Sequence, residues 1–281
     1  MSETTTKITP DEMMVVCMAR QIKDGEIVIQ GLATPLAAAA YLLARYTHAP
    51  SLYFASAIGQ GICQQPAPLG LARVESLWLD RALTNVGFVR AVADVLPQIK
   101  PKEFFRPAQV DPYGNFNNIA FGKDYTHPRL RLPGSGGIPD VTTYIRDIQL
   151  YVPCHSRVTF VAELDFLSGL GHHPARSMGA GPSYLVSDLG QFDFVPHPGG
   201  GLPRMRLITY HRGVRIERIQ AKTGFELLIS PEVKETPLPS TEELDLLREQ
   251  IDPLGIRRLE SMSGIERRMA LQEILEQERL L

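Results

Sequence analysis

The residues best suited to chemistry lie in one stretch, Pro133-Gly134-Ser135-Gly136-Gly137-Ile138-Pro139-Asp140. Three glycines in four residues leave a backbone without Cβ atoms, so a ligand can come close to its N–H groups. Such groups can hold a phosphate or the oxyanion of a reacting thioester. Gly136 and Gly137 are therefore assigned to an oxyanion loop, with Gly134 and Ser135 as ligand contacts; a plain turn is the competing reading. Asp140 follows the loop and reads as a cap for the next segment. Just upstream, Gln109-Val110-Asp111-Pro112-Tyr113-Gly114-Asn115-Phe116-Asn117 gathers polar side chains at the end of an apolar strand. Gln109, Asp111, Asn115 and Asn117 would form a wall of the ligand pocket, although Asn and Asp also favour turns through their own backbone bonds.

Other candidates are weaker. Glu163 and Asp165 share a face if Thr159–Leu164 is a strand, and paired carboxylates can do acid–base work; a structural hydrogen-bonding role competes. His172 and His173 are adjacent, so they do not converge on one site of a helix. Cys63 has no cation nearby in sequence to lower its pKa and reads as an inert thiol. Trp78 reads as core. The three cysteines, Cys17, Cys63 and Cys154, fit neither a disulfide framework nor a zinc pattern, and no metal is expected.

Bulk properties narrow the function class. The chain has 281 residues, 44% of them hydrophobic and 21% charged, enough for a sizeable core. Its 29 basic and 31 acidic residues leave a net charge of −2, with no basic patch for nucleic acid. Met1–Thr9 lacks the apolar core of a signal peptide, and no run approaches the roughly 20 apolar residues that span a bilayer. A cytoplasmic protein without membrane contact is expected.

These residues need a frame. Asp11–Lys23 reads as a helix with Met14, Val15, Met18 and Ile22 on its apolar face. Glu26–Gln30 alternates as a strand. Gly31-Leu32-Ala33-Thr34-Pro35 then turns into the helix Leu36–Tyr46, with Thr34 as N-cap and Pro35 at its first position. Ser51–Ser56 is the next strand, so strand, helix and strand suggest a βαβ unit in a parallel sheet. Leu83–Leu96 reads as a helix and Glu103–Val110 as a strand. Tyr113–Pro139 is long and irregular, as functional loops are. Strands follow at Ile148–Val152, Thr159–Leu164, Tyr184–Ser187, Phe192–Val195 and Arg206–Tyr210, and a helix at Val214–Thr223. After Pro239 the character changes. Ser240-Thr241-Glu242-Glu243 and Ser263-Gly264-Ile265-Glu266 fit capping boxes. Residues 1–239 thus read as one α/β domain and 240–281 as a helical tail.

An ordered series of motifs over residues 10–255 resembles the beta subunit of heteromeric class I CoA-transferases of the glutaconate type. The series runs Asp24-Gly25-Glu26 to Gly31–Ala37, then Thr47-His48-Ala49-Pro50-Ser51-Leu52, then Gln109–Asn117 and Gly134–Gly137. It closes with Ser168-Gly169-Leu170-Gly171, Ser187-Asp188-Leu189-Gly190 and Ile251-Asp252-Pro253. The resemblance implies a layered α/β sandwich with a mostly parallel sheet. It also implies an alpha-subunit partner in a heterotetramer, an acyl-CoA substrate contacted by Thr34 and Ala57, and no permanent cofactor, coenzyme A entering with the substrate. In that family a glutamate carboxylate attacks the thioester. Here Ala57 stands at the glutamate's position, and no acidic residue lies between Pro50 and Arg73. Two relatives of the family, a decarboxylase and a steroid-ring C–C hydrolase, are therefore alternatives, and Phe160–Gly171 resembles the hydrolase subunit. A non-catalytic, pocket-forming partner is the third.

Overall fold

The computed structural model describes residues 7–31, 34–56, 61–65, 69–72, 80–197 and 199–279. Ala57 and Trp78 lie outside the described residues. Its frame is a ten-stranded mixed sheet. Five strands at its centre run parallel: β1 (Ile27–Gln30), β2 (Tyr53–Ser56), β5 (Lys102–Phe105), β10 (Asp147–Val152) and β11 (Tyr184–Ser187), in the order β2-β1-β5-β10-β11. On one flank β3 (Gly61–Cys63) and β4 (Thr84–Asn85) add antiparallel. On the other, β12 (Gly190–Val195) and β13 (Arg204–Tyr210) add antiparallel, and β14 (Leu228–Glu235) pairs parallel with β13.

The period of two along each central strand splits the core into two layers. Val28, Phe54, Phe104, Tyr151, Tyr184 and Val186 face one side, and helices α1 (Pro10–Ala19) and α2 (Pro35–Thr47) cover them. Ile29, Ala55, Phe105, Ile148, Leu150 and Leu185 face the other, under the segment from Arg106 to Gly171. That segment carries two small hairpins, β6 (Gln109–Val110) with β7 (Phe116–Asn117) and β8 (Ala120–Phe121) with β9 (Leu130–Arg131), and the helix Ile138–Tyr144. The long irregular loop expected there is thus partly folded.

Several expectations need correction. Thr159–Leu164 is not a strand; only Phe160 bridges, to Val110. β14 had no recognisable signal, because its Ile229, Ser230, Pro231 and Glu232 break alternation. The helical stretch near residue 90 begins at Phe88 rather than Leu83 and continues to Ile99. The Ser240 capping box forms, with Glu243 N–H donating to Ser240 Oγ at 3.1 Å. The Ser263 box does not form, although the helix Gly264–Glu278 does.

The chain after Pro239 docks on the main core. Leu247 and Ile251 join the layer of α1 and α2. A buried ion cluster seals the contact: Arg257 reaches Asp11 at 2.8 Å, Asp252 at 2.8 Å and Glu12 at 3.2 Å, while Arg248 pairs with Glu12 at 2.6 Å. Removing the central cation would strand the buried carboxylates of Asp11 and Asp252, while Glu12 would keep Arg248. Arg257→Ala is therefore expected to cost about 3–5 kcal/mol in urea unfolding; a loss below about 1 kcal/mol would mean the cluster is dispensable.

Candidate active site

Parallel strands end on the same edge of a sheet, and ligands of open α/β sheets bind beyond those carboxyl ends. Here that edge opens into a cleft of about 810 Å³. Its floor is the ends of β1, β2, β5 and β10, from Ile29, Ser56, Glu103, Phe105 and Val152. Gly31 and Thr34 line one wall, and Pro133–Ile138 another. Apolar side chains of the stretch 86–99 close the space.

Gly134, Ser135, Gly136 and Gly137 all line this cleft. Gly134 and Gly136 have φ of +108° and +52°, a region in which glycine is at home. A Cβ added at either would meet open space, so the loop presents bare backbone. Gly137 stands before the helix Ile138–Tyr144, whose first bond runs from Val141 N–H to Gly137 O. Asp140 lies in that helix's first turn. Thr34 lines the cleft, but its hydroxyl donates back to Gly31 O at 3.3 Å instead of capping α2. The cap comes from far along the chain: Leu36 N–H donates to Glu260 Oε1 at 2.8 Å. The other Glu260 oxygen accepts from Tyr151 Oη at 2.9 Å and lies 3.3 Å from Arg106 Nη1. Burial pushes the Glu260 carboxyl up to about 7, against the pull of Arg106 and these donors. No sequence signal marks this contact, which joins residues 224 apart.

The polar motif at Gln109–Asn117 lies behind the cleft. Gln109 Oε1 accepts from Asn117 Nδ2 at 2.8 Å and Gln109 Nε2 donates to Asp165 at 3.1 Å. Asp111 accepts from the backbone of Tyr113 and Asn115 at 2.8 and 2.9 Å and from Asn115 Nδ2 at 2.9 Å. Asn115 Oδ1 in turn accepts Gly171 N–H at 2.8 Å. A Cβ at Gly171 would collide with the backbone of Gly114 and Asn115, so Ser168–Gly171 has its small residues for packing. These motifs build the hairpin under the cleft, and Gln109, Asn115 and Asn117 are not part of its lining.

Glu163 is not brought to the cleft either. Its side chain is 78% exposed and pairs with Lys123 at 3.1 Å. Asp165 accepts from Gly122 N–H at 2.9 Å, so the two acids have separate jobs. His172 bonds Pro182 O at 2.9 Å and His173 accepts Ala175 N–H at 3.1 Å. Cys63 lies in β3, where burial pushes its thiol up to about 11. Among the described residues no group of three His, Cys, Asp or Glu could hold a metal, and no helix is long and apolar enough to cross a membrane.

The acid that sequence reading missed is Glu103. It is 8% exposed and lines the cleft, and its carboxyl has no hydrogen-bond partner among the described residues. Its neighbour Lys102 belongs to the opposite face and pairs with Glu26 at 2.7 Å and Asp147 at 3.4 Å. Burial with no compensating charge pushes the Glu103 carboxyl up to about 8. The available signal was a glutamate directly before Phe104 and Phe105 in a short central strand.

No family model matches the chain. It is 30% identical to the beta subunit of 3-oxoadipate CoA-transferase from Pseudomonas knackmussii, over 85% of this chain and 91% of that protein. It is also 30% identical to the cholesterol ring-cleaving hydrolase IpdB subunit of Rhodococcus jostii, over 92% and 98%. Among solved structures, the decarboxylase AibA/AibB superposes with a TM-score of 0.75 at 31% identity, covering 89% of this chain and 98% of that one. Glutaconate CoA-transferase of Acidaminococcus fermentans gives 0.77 at 26% identity, covering 92% and 99%. The fold is that of the enzymes these matches name. The chain belongs to the CoA-transferase family, as a beta subunit, and that family includes hydrolase and decarboxylase members.

Glu103 makes stability depend on pH. Below about pH 4.5 its carboxyl is protonated in both states. Above that the unfolded chain releases the proton, while the folded chain keeps it until about 8. Stability from this group is thus lost as pH rises through that window, by about 1.4 kcal/mol per pH unit. Glu103→Gln removes this slope. The variant should match the wild type in urea near the lower limit and exceed it near the upper one; a variant less stable at the alkaline end would contradict the assignment.

Proposed function

We propose that this chain forms one side of an acyl-CoA site and works with an alpha subunit in a heteromeric enzyme, a heterotetramer. No resident cofactor is needed; coenzyme A arrives as part of the substrate. One observation carries this reading: a single apolar cleft holds Thr34, Ser56 and the Gly134–Gly137 loop at the carboxyl ends of the parallel strands. Apolar walls suit an acyl chain, and bare backbone at Gly134 and Gly136 leaves room for a thioester to approach.

Within the family the first candidate reaction is CoA transfer between carboxylic acids. Ala57 supports a second. A methyl group cannot carry CoA, so no glutamyl thioester can form at this position. C–C bond hydrolysis or decarboxylation of a CoA-linked substrate needs only an acyl-CoA pocket and stabilised enolate charge. Relatives named as a ring-cleaving hydrolase and a decarboxylase favour that reading.

A mass-spectrometric time course separates the two. The co-expressed complex with its alpha subunit is given acyl-CoA esters, ring-containing ones included, with and without acetate. Acetyl-CoA that appears only with acetate means transfer. A product that gains water or loses carbon dioxide with CoA attached, in either medium, means C–C chemistry. Gly136→Val tests whether this chain takes part at all. The expected result is an intact complex with turnover lowered by roughly a hundredfold. Undiminished turnover would leave the chain as a pocket-forming partner.

A further inference from the structure

Glu103 holds an unusual place among the acids of this chain. β5 carries it between two apolar neighbours in register, Ile29 of β1 and Ile148 of β10. Its carboxylate lies beside Gly31, where even an added Cβ would keep 3.6 Å from Oε1. Two phenols, Tyr41 and Tyr144, are the titratable groups whose ionisation it opposes, and both are themselves pushed up by burial. Tyr41 Oη is occupied, donating to Ile29 O at 2.9 Å and accepting Phe104 N–H at 3.2 Å. Tyr144 Oη donates to Val92 O at 2.7 Å. The cation in the same cleft, Arg106, lies 3.3 Å from Glu260. Glu103 is thus left with no counter-ion and no donor among the described residues, in the wall of an 810 Å³ cleft.

A buried carboxyl without partners costs stability and adds nothing to the packing. One that faces a cleft and keeps its proton at neutral pH is suited to give that proton away. We propose that Glu103 is the proton donor of the cleft, acting on the enolate of an acyl-CoA whose α-carbon has just lost a C–C bond. The proposal rests on the acyl-CoA reading and selects C–C chemistry within it.

The electrons balance without a further cofactor. When the bond from the α-carbon to a carboxylate breaks, carbon dioxide leaves and the bonding pair stays behind as an enolate shared with the thioester oxygen. When the bond runs to a ketone carbon, water first adds to that carbon and the hydrate gives one hydroxyl proton to solvent; the cleaved fragment then leaves as a carboxylic acid and the same enolate remains. In both cases the Glu103 proton goes to the α-carbon. The carboxylate that results recovers a proton from water.

The test uses the complex with its alpha subunit and the acyl-CoA that the time course identifies. Glu103→Gln keeps the shape and removes the acid. The expected loss in kcat is roughly a hundredfold or more, with KM within about threefold. In the wild type kcat should fall as pH rises through about 8, and this alkaline limb should vanish in the variant. A variant that retains its kcat, or the same limb in both proteins, overturns the proposal. Calorimetric titration of the wild-type complex with acetyl-CoA separates the two readings. If neither acetyl-CoA binding nor turnover of any acyl-CoA is found, the site assignment and the proposal fall together. If turnover is normal and Glu103→Gln is indifferent, only the proposal falls. A second readout does not need the variant to fold. The infrared band of a protonated carboxyl in the wild type should titrate away near pH 8 and shift on adding acetyl-CoA; no such band, or no shift, overturns the proposal.

Discussion

Five strands of one polarity govern the geometry of this protein. Parallel pairing makes β1, β2, β5, β10 and β11 end on the same edge, so their next residues are forced into one region. The turn at Gly31, the end of β2 at Ser56, Arg106 and Cys154 meet there although they are far apart in sequence. Two helices cover one face, and the hairpins of the Arg106–Gly171 segment cover the other. The cleft is what remains between that cover and the strand ends.

Much of this frame was legible. Alternation marked β1, short apolar runs marked β2, β10 and β11, and Pro35 marked the start of α2. The glycine loop was singled out from three glycines in four residues, with a plain turn as the competing reading, and it lines the cleft. What stayed hidden depended on distance. Thr34 had the right type and place for a cap, but Glu260 supplies it from the tail. Glu163 had the right chemistry, yet only the folded chain turns it to solvent. Gln109, Asn115 and Asn117 stood in a motif whose fixed pattern suggested a ligand, whereas their hydrogen bonds close a turn. Glu103 was hidden for the opposite reason. A single acid in a four-residue strand has no motif, and its meaning comes from what does not surround its carboxyl.

The two buried glutamates of the cleft show how environment divides one side-chain type between two uses. Glu260 has an amide, a phenol and a guanidinium around it, and it holds other groups in place. Glu103 has apolar strands on both sides and holds nothing. Burial raises both, and only the second is left without a donor or cation to offset it among the described residues.

The Glu260 contact also bears on how the chain is made. Its carboxylate closes the N-terminus of α2 and anchors Arg106, yet it is synthesised 224 residues after the amide it caps. Until it emerges, the first amides of an early helix and one wall of the cleft have no partner. A nascent chain can therefore pair its central strands long before it can finish its site, and completion of the cleft waits until residue 260 has emerged. A chain cut short before residue 260 would keep most of the sheet and lose the group that organises its opening.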